Sequence, residues 1–338
     1  MAGRQQGFTR ASALGPIADF VDDQGGSITR VMNDVDVPLA ILDHPDTLVP
    51  LKEQFRVLER AARDIGDPYF GARLGRNVRI ANLSAFGKWV SEAHSVRDAI
   101  GRSNRGLNVY LQTGTVLTLT ETGPRACWSI EFLDPGFDGK YQNELLGLSY
   151  LIDVVRCFAG PHWVPEAVYT TCARHRQDGV LEQIFGTNVR CEQAVPTIAF
   201  ASELLDRGRC LATQMLEKNT RDIDRNNRGV PTVQGEYPAI VAVTSLALLE
   251  GYPKVDWVAE KLGLTRRSLQ RRLESCGTNF SDLVAKLLQE RSEGLLATSP
   301  ESVTSIAMSL GYTDAAHFTR AFKKWTGLTP SAFRGRLQ

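Results

Sequence analysis

Arg267, Gln270 and Arg271 stand three and four residues apart, and each ends in a long, flat hydrogen-bonding head. On one helical face such a trio has a definite chemistry open to it. An arginine fork donates to guanine O6 and N7, and a glutamine amide bridges adenine N6 and N7; the major groove of a duplex admits the helix that carries them. Further along the chain, Thr319 and Arg320 offer a shorter version of the same set. Arg266, Arg272, Lys323 and Lys324 flank the two groups and suit phosphate instead. There a cation adds affinity and salt dependence but no sequence information. His317 lies beside the second group and reads as a helix-surface residue.

These side chains need helices anchored by one edge, and the chain writes the pattern for such a helix twice. Val255–Thr265 and Val303–Thr313 share V-x-x-[VI]-A-x-x-L-G-x-T at an offset of 48 residues. In both copies apolar residues fall at i, i+3, i+4 and i+7, one stripe of a two-turn helix. Gly263 and Gly311 then stand where a helix end takes a left-handed residue, and Thr265 and Thr313 are placed to cap the next helix. Leu269 with Leu273, and Phe318 with Phe322, would anchor that second helix at i and i+4. Outward remain Arg266, Arg267, Gln270, Arg271 and Glu274 in the first copy, and Ala315, Ala316, Thr319, Arg320 and Lys323 in the second. One helix hairpin ending in glycine is a common structural device. Two with matching caps, joined by a long helix over 280–297, predict a pair of helix-turn-helix units.

Charge follows the same division. Residues 252–338 hold 13 Lys and Arg against 8 Asp and Glu, while the remainder holds 26 against 30, in a chain of net charge +1. A basic end on a mildly acidic body points to a polyanion bound at one end only. The polar stretch 218–229, followed by Pro231 and Gly235, reads as a linker. The expected domains are therefore 1–217, a linker at 218–235, and 236–338 with helix-turn-helix units near 255–275 and 303–325.

The N-terminal body mixes patterns. Helices are expected over 48–65, through much of 80–100, over 145–158, and over 202–218 with Leu204, Leu205, Leu211, Met215 and Leu216 on its apolar side. Residues 115–121 and 126–132 alternate as paired strands around Gly123-Pro124, and further strand is expected near 167–171 and 189. The fold class is thus an α+β N-terminal domain followed by an all-α C-terminal domain with two helix-turn-helix units joined by a long helix.

Several functions are excluded or left without support. The six cysteines show no C-x-x-C or histidine partner at metal-ligand spacing and read as reduced thiols, so neither metal nor cofactor is expected. No signal-peptide pattern and no apolar run long enough to cross a membrane is present, which gives a cytoplasmic expectation without membrane partners. Phosphate-loop, H-E-x-x-H and G-x-S-x-G patterns are missing, so no enzymatic activity is expected.

The residues Gly311-Tyr-Thr-Asp-Ala-Ala-His-Phe-Thr-Arg-Ala-Phe-Lys-Lys-Trp-Thr-Gly-Leu-Thr-Pro330, with Phe333-Arg334, resemble the signature of the AraC/XylS transcription regulators. Gly263–Gly277 is similar to the same family's first motif, and the resemblance spans roughly 236–338. It implies base-facing positions at Arg267, Gln270 and Arg271, then Ala315, Ala316, Thr319 and Arg320. The two alanines depart from the longer polar residues of some members, which implies weaker readout by the second unit or apolar contact with thymine methyls. The body resembles the arabinose-binding-type sensor domain of a branch that includes ornithine-utilisation regulators, through Leu42–Asp46, Gly66–Gly75 and Ala194–Pro196. That likeness implies a homodimer that binds double-stranded operator DNA, an unidentified small-molecule effector and RNA polymerase, and activates a metabolic operon. The effector's contacts are not assigned. Asp67-Pro68 with Gly71 and Gly75 suggests only a turn and close packing, and Phe86, Trp89, Trp128 and Trp163 read as core. Two rival functions are a constitutive DNA-binding protein without ligand and a DNA-alkyl-transfer regulator. The second fails at Cys172, where Thr171 and Ala173 replace the Pro and His that such a cysteine needs beside it.

Overall fold

A computed structural model of the chain describes residues 6–133, 139–173, 179–209 and 233–337. They divide into two units, Met1–Thr232 and Val233–Gln338. Residues 218–232 of the expected linker, and Leu211, Met215 and Leu216 of the expected 202–218 helix, lie outside the described residues.

In the first unit β1 (Phe8–Arg10) pairs antiparallel with β2 (Leu48–Pro50), and α1 (Ile17–Asp23) and α2 (Ile28–Val35) fill the sequence between them. The helix expected from residue 48 starts only at Leu51, because Pro50 with ψ 131° holds the chain extended and lets 48–50 serve as strand. That helix, α3 (Leu51–Ile65), is followed by α4 (Phe70–Gly75), α5 (Ile80–Leu83), α6 (Ala85–Ser91) and α7 (Val96–Gly106). The expected hairpin is present: β3 (Thr115–Thr122) and β4 (Arg125–Phe132) pair from Thr115↔Phe132 to Thr122↔Arg125. Then come α8 (Lys140–Ala159), β5 (Ala167–Tyr169), α9 (Val180–Phe185), β6 (Asn188–Arg190) and β7 (Thr197–Ala201). The sheet order is β3-β4-β7-β5-β6, with β5 and β6 parallel.

Helix α8 runs through the middle of this unit, with residues 142–149 all buried. It receives α4 at very short range. A Cβ added at Gly71 would overlap the Gln142 carbonyl, and one at Gly75 would overlap the Ser149 hydroxyl. The two glycines, one turn apart, are therefore the close packing that their spacing predicts.

Two expectations need correction here. Residues Ser202–Asp206 form a 3₁₀ turn rather than the start of an α-helix, and Gly208 then bridges to Ser95 in extended form. Leu205 is buried by this turn and Leu204 packs half-buried against the same core, while Glu203 and Asp206 stay exposed. Cys172 and Cys191, read as thiols, form a disulfide with Cα atoms 5.1 Å apart. The cause is topological. β5 and β6 lie side by side, and their extensions stay paired through Thr170 N to Arg190 O (2.9 Å) and Glu192 N to Cys172 O (2.8 Å). A search for closely spaced cysteines cannot see a pair that a parallel crossover brings together.

The second unit consists of α10 (Glu236–Ala247), α11 (Val255–Lys261), α12 (Arg266–Ser275), α13 (Phe280–Thr298), α14 (Val303–Ser309), α15 (Ala315–Thr326) and α16 (Pro330–Leu337). Helix α10 packs on both helices of the first helix-turn-helix, and α13 packs on α10 and on both helices of the second. Arg291 on α13 donates to the Leu248 carbonyl at 2.6 Å just beyond α10, and burial pulls its guanidinium pKa down.

The two repeat glycines adopt the expected left-handed backbone, φ 66° at Gly263 and 82° at Gly311, yet their surroundings differ. A Cβ at Gly263 meets nothing within 4 Å. One at Gly311 meets the Tyr252 nitrogen at 2.9 Å and the Gly251 Cα at 3.0 Å, where the second turn rests on the chain leading into the first helix-turn-helix. Gly263→Ala should therefore cost about 1–2 kcal/mol from backbone strain alone. Gly311→Ala should cost about 2–3 kcal/mol, because backbone cannot give way to the methyl. Amide exchange across 233–337 measures both; equal costs would remove the Gly251–Gly311 contact from its place as a brace.

Candidate nucleic-acid interface

Helix α12 begins at a cap that works as expected: the Thr265 hydroxyl accepts from the Ser268 N–H at 3.1 Å. Leu269 and Leu273 are fully buried, and they fix which edge turns inward. Arg267, Gln270 and Arg271 are left exposed on the other side. With 3.6 residues per turn, 267, 270 and 271 share one face of the helix. The structure thus brings the first trio together.

Helix α15 is built alike, with one shift. Its cap is Asp314, whose carboxylate accepts from the His317 N–H at 2.6 Å, rather than Thr313. The turn after Gly311 is one residue longer than the turn after Gly263. Phe318 and Phe322 are fully buried and define the inner edge. Ala316 and Arg320 are exposed, and Ala315 and Thr319 are half-buried. The Thr319 hydroxyl donates to the Ala315 carbonyl at 2.7 Å, so its hydrogen is already used within the helix. His317 is exposed, and its ring stands edge-on to Tyr312 at 5.4 Å. Burial, with Tyr252 nearby, pushes the Tyr312 phenol up to about 12, so it keeps its proton.

The four residues expected at phosphate divide into two kinds. Lys323 and Lys324 are exposed in the last turn of α15. Arg266 sits 3.3 Å from Asp256, and Arg272 sits 3.1 Å from Glu236 at the start of α10. Exposed pairs of this kind are weak and screened by salt. Arg272, half-buried, leans toward α10 rather than along the outer face. Lys324→Ala should weaken specific and random DNA alike and flatten the slope of log affinity against log salt by about 0.9. Titrations at several salt concentrations read this directly, and a change confined to one sequence would assign Lys324 to bases instead.

Sequence reasoning missed Lys261, which is 2% exposed and lies with Nζ 5.3 Å over the Trp257 ring. It also missed the contact of Gly311 with Gly251. The i,i+4 spacing of Trp257 and Lys261 was the available signal for the first.

Residues 25–208 match the family described as the arabinose-binding domain of AraC transcription regulators, N-terminal, and residues 258–336 match a helix-turn-helix domain. The ornithine utilization regulator of Pseudomonas aeruginosa is 23% identical over 328 residues, covering 94% of each chain. The HTH-type transcriptional regulator VirS of Mycobacterium tuberculosis is 23% identical over 337 residues, covering 96% of each. Among solved structures, the transcriptional regulator CdpR of Pseudomonas aeruginosa is 22% identical with a TM-score of 0.33, covering 78% of this chain and 86% of that one.

Proposed function

The chain belongs to the AraC transcription regulators that carry an arabinose-binding-type N-terminal domain, and from that membership we propose that its two exposed helix faces read successive major grooves of one duplex. It is a DNA-binding transcription regulator with a ligand-binding domain ahead of its helix-turn-helix units. In this reading Arg267, Gln270 and Arg271 contact bases from α12. Ala315, Ala316, Thr319 and Arg320 do so from α15, while Arg266, Arg272, Lys323 and Lys324 serve phosphates. The observation that supports it most is the exposed Arg267–Gln270–Arg271 face on a helix whose opposite edge is locked by Leu269 and Leu273.

The domain boundaries in this proposal are a sensor and dimerisation domain over 1–217, a linker over 218–235 and the DNA-binding domain from 236. Family membership supports a cytoplasmic homodimer that contacts RNA polymerase and activates a metabolic operon when its effector binds.

Selection of random duplexes on the full chain tests the DNA reading. The expected motif has two blocks per subunit with centres about 10 bp apart, one helical turn. The block read by α12 should carry more sequence information than the one read by α15. A single block, or no enrichment, would overturn the reading.

A further inference from the structure

In the first unit a cavity lies between the β3–β4 hairpin, α3, α8 and the end of α7. Its wall is mainly hydrocarbon, with Phe86, Leu107, Trp128, Phe132 and Leu146 among the lining side chains. Phe86 and Trp128, read from the sequence as core, are thus core and cavity wall at once. Past Gly106 the helix widens into a π turn, Leu107–Leu111, which places both of those leucines on the wall. Such turns recur at functional sites. The centre of a water-sized molecule has about 70 Å³ in which to move, several times the ~10–15 Å³ that one water needs.

The polar groups on this wall are few, and most are engaged. The Ser103 hydroxyl donates to the Ala99 carbonyl at 2.9 Å, Gln112 Nε2 donates to Thr115 Oγ1 at 2.6 Å, and the Tyr150 hydroxyl donates to the Ala13 carbonyl at 3.3 Å. Gln54 differs. Its Nε2 donates to Asn143 Oδ1 at 2.6 Å, but its buried Oε1 has no hydrogen-bond partner among the described residues, on a residue only 4% exposed. A buried acceptor without a donor is costly to leave so. Among the described residues no carboxylate, lysine, arginine or histidine lines the cavity, and burial holds the Tyr150 phenol protonated well above its ordinary range.

We propose that this cavity is the effector site and takes a small, neutral, mostly hydrocarbon molecule whose one polar group donates a hydrogen bond to Gln54 Oε1. The proposal rests on reading the N-terminal unit as a ligand sensor. A zwitterion such as ornithine would bury two charges here without partners, and a sugar would bury a ring of hydroxyls against leucine and phenylalanine. An adjoining, more polar cleft, which shares Leu83 and Tyr150 with this wall and is lined also by Ser12, Asn77, Arg79 and Asn82, is where such polar molecules would be accommodated.

Calorimetry of the full chain with straight-chain alcohols from butanol to octanol tests the assignment. Binding should saturate at one per chain and tighten about fourfold per methylene until the space is filled. 1-Hexanol should bind on the order of tenfold tighter than methyl pentyl ether, which has the same heavy atoms but no donor. Gln54→Met should erase that preference. Gly147→Leu, whose Cβ would stand 3.1 Å from Ile130 Cδ1 inside the cavity, should abolish binding. Should Gln54→Met fail to fold, the alcohol-to-ether ratio of the unaltered protein still decides. No saturable alcohol binding, an ether as tight as its alcohol, or L-ornithine or L-arabinose binding that Gly147→Leu removes would each overturn the proposal. Operator affinity measured alongside separates the two readings. Alcohols that bind without changing it would leave the site standing and remove its sensor role, whereas ornithine acting on operator affinity through the polar cleft would do the reverse.

Discussion

Replacing Arg267, Gln270 and Arg271 together by alanine is expected to lower operator affinity by about 10³–10⁵-fold, leaving little beyond binding to random DNA. Each good bidentate contact discriminates against the wrong base by about 1–3 kcal/mol. The three side chains share one exposed face of α12, so one groove receives all of them. Losses at neighbours do not add strictly, and the floor is set by phosphate contacts that this change leaves mostly in place. Arg320→Ala is the matched comparison. It removes the one long donor among the expected base-facing residues of α15, beside two alanines and a threonine whose hydroxyl hydrogen is held by Ala315. Its expected cost is about 1–3 kcal/mol with relaxed preference at one base pair. Competition between operator and scrambled duplex at fixed salt measures both. If Arg320→Ala costs as much as the triple change, the two units are equal readers and the assigned asymmetry is wrong.

What the sequence made legible was whatever depends on neighbours a few residues away. The repeated apolar stripe, the two left-handed glycines and the inward pairs Leu269–Leu273 and Phe318–Phe322 are all set within one or two turns, and they are found as expected. Even there the expected cap was one residue off: Asp314, not Thr313, caps the start of α15. Long-range features were beyond such reading. Strand β7 sits at the centre of the five-stranded sheet between β4 and β5, yet its five residues give no length to an alternation pattern. The Cys172–Cys191 link depends on β5 and β6 being neighbours. The effector cavity left one sign in the sequence. Within α3 the stripe Leu51, Gln54, Phe55, Leu58, Ala61, Ala62 is buried throughout, and Gln54 is the polar member that breaks it. A glutamine within that buried stripe needs partners, and only the three-dimensional fold shows that its oxygen has none among the described residues.

Phe322→Ala should be the most damaging single change in the DNA-binding unit, costing about 3–5 kcal/mol of local stability. The side chain is fully buried, with ring centroids 5.8 Å from Phe318 and 5.4 Å from Phe333. Phe318 in turn meets Tyr312 at 5.4 Å. The cluster therefore ties α15 to the turn before it and to α16 after it. Phe318 and Phe322 are the buried residues of α15, so losing one removes half of its fully buried anchors. Because the chain has two units, one melting temperature would mix their responses, and amide exchange resolved by segment is the better measure. Protection should fall across 303–337 and stay as it was over 6–133. Footprints should keep the half-site read by α12 and lose the one read by α15, a pattern that Arg320→Ala cannot produce while α15 stays folded. Phe322→Leu, which restores most of the volume, should cost less than about 1.5 kcal/mol and recover the footprint. Unchanged exchange with a lost footprint would mean that Phe322 acts on DNA directly, and the division of α15 into a buried anchor and an exposed reader would fail.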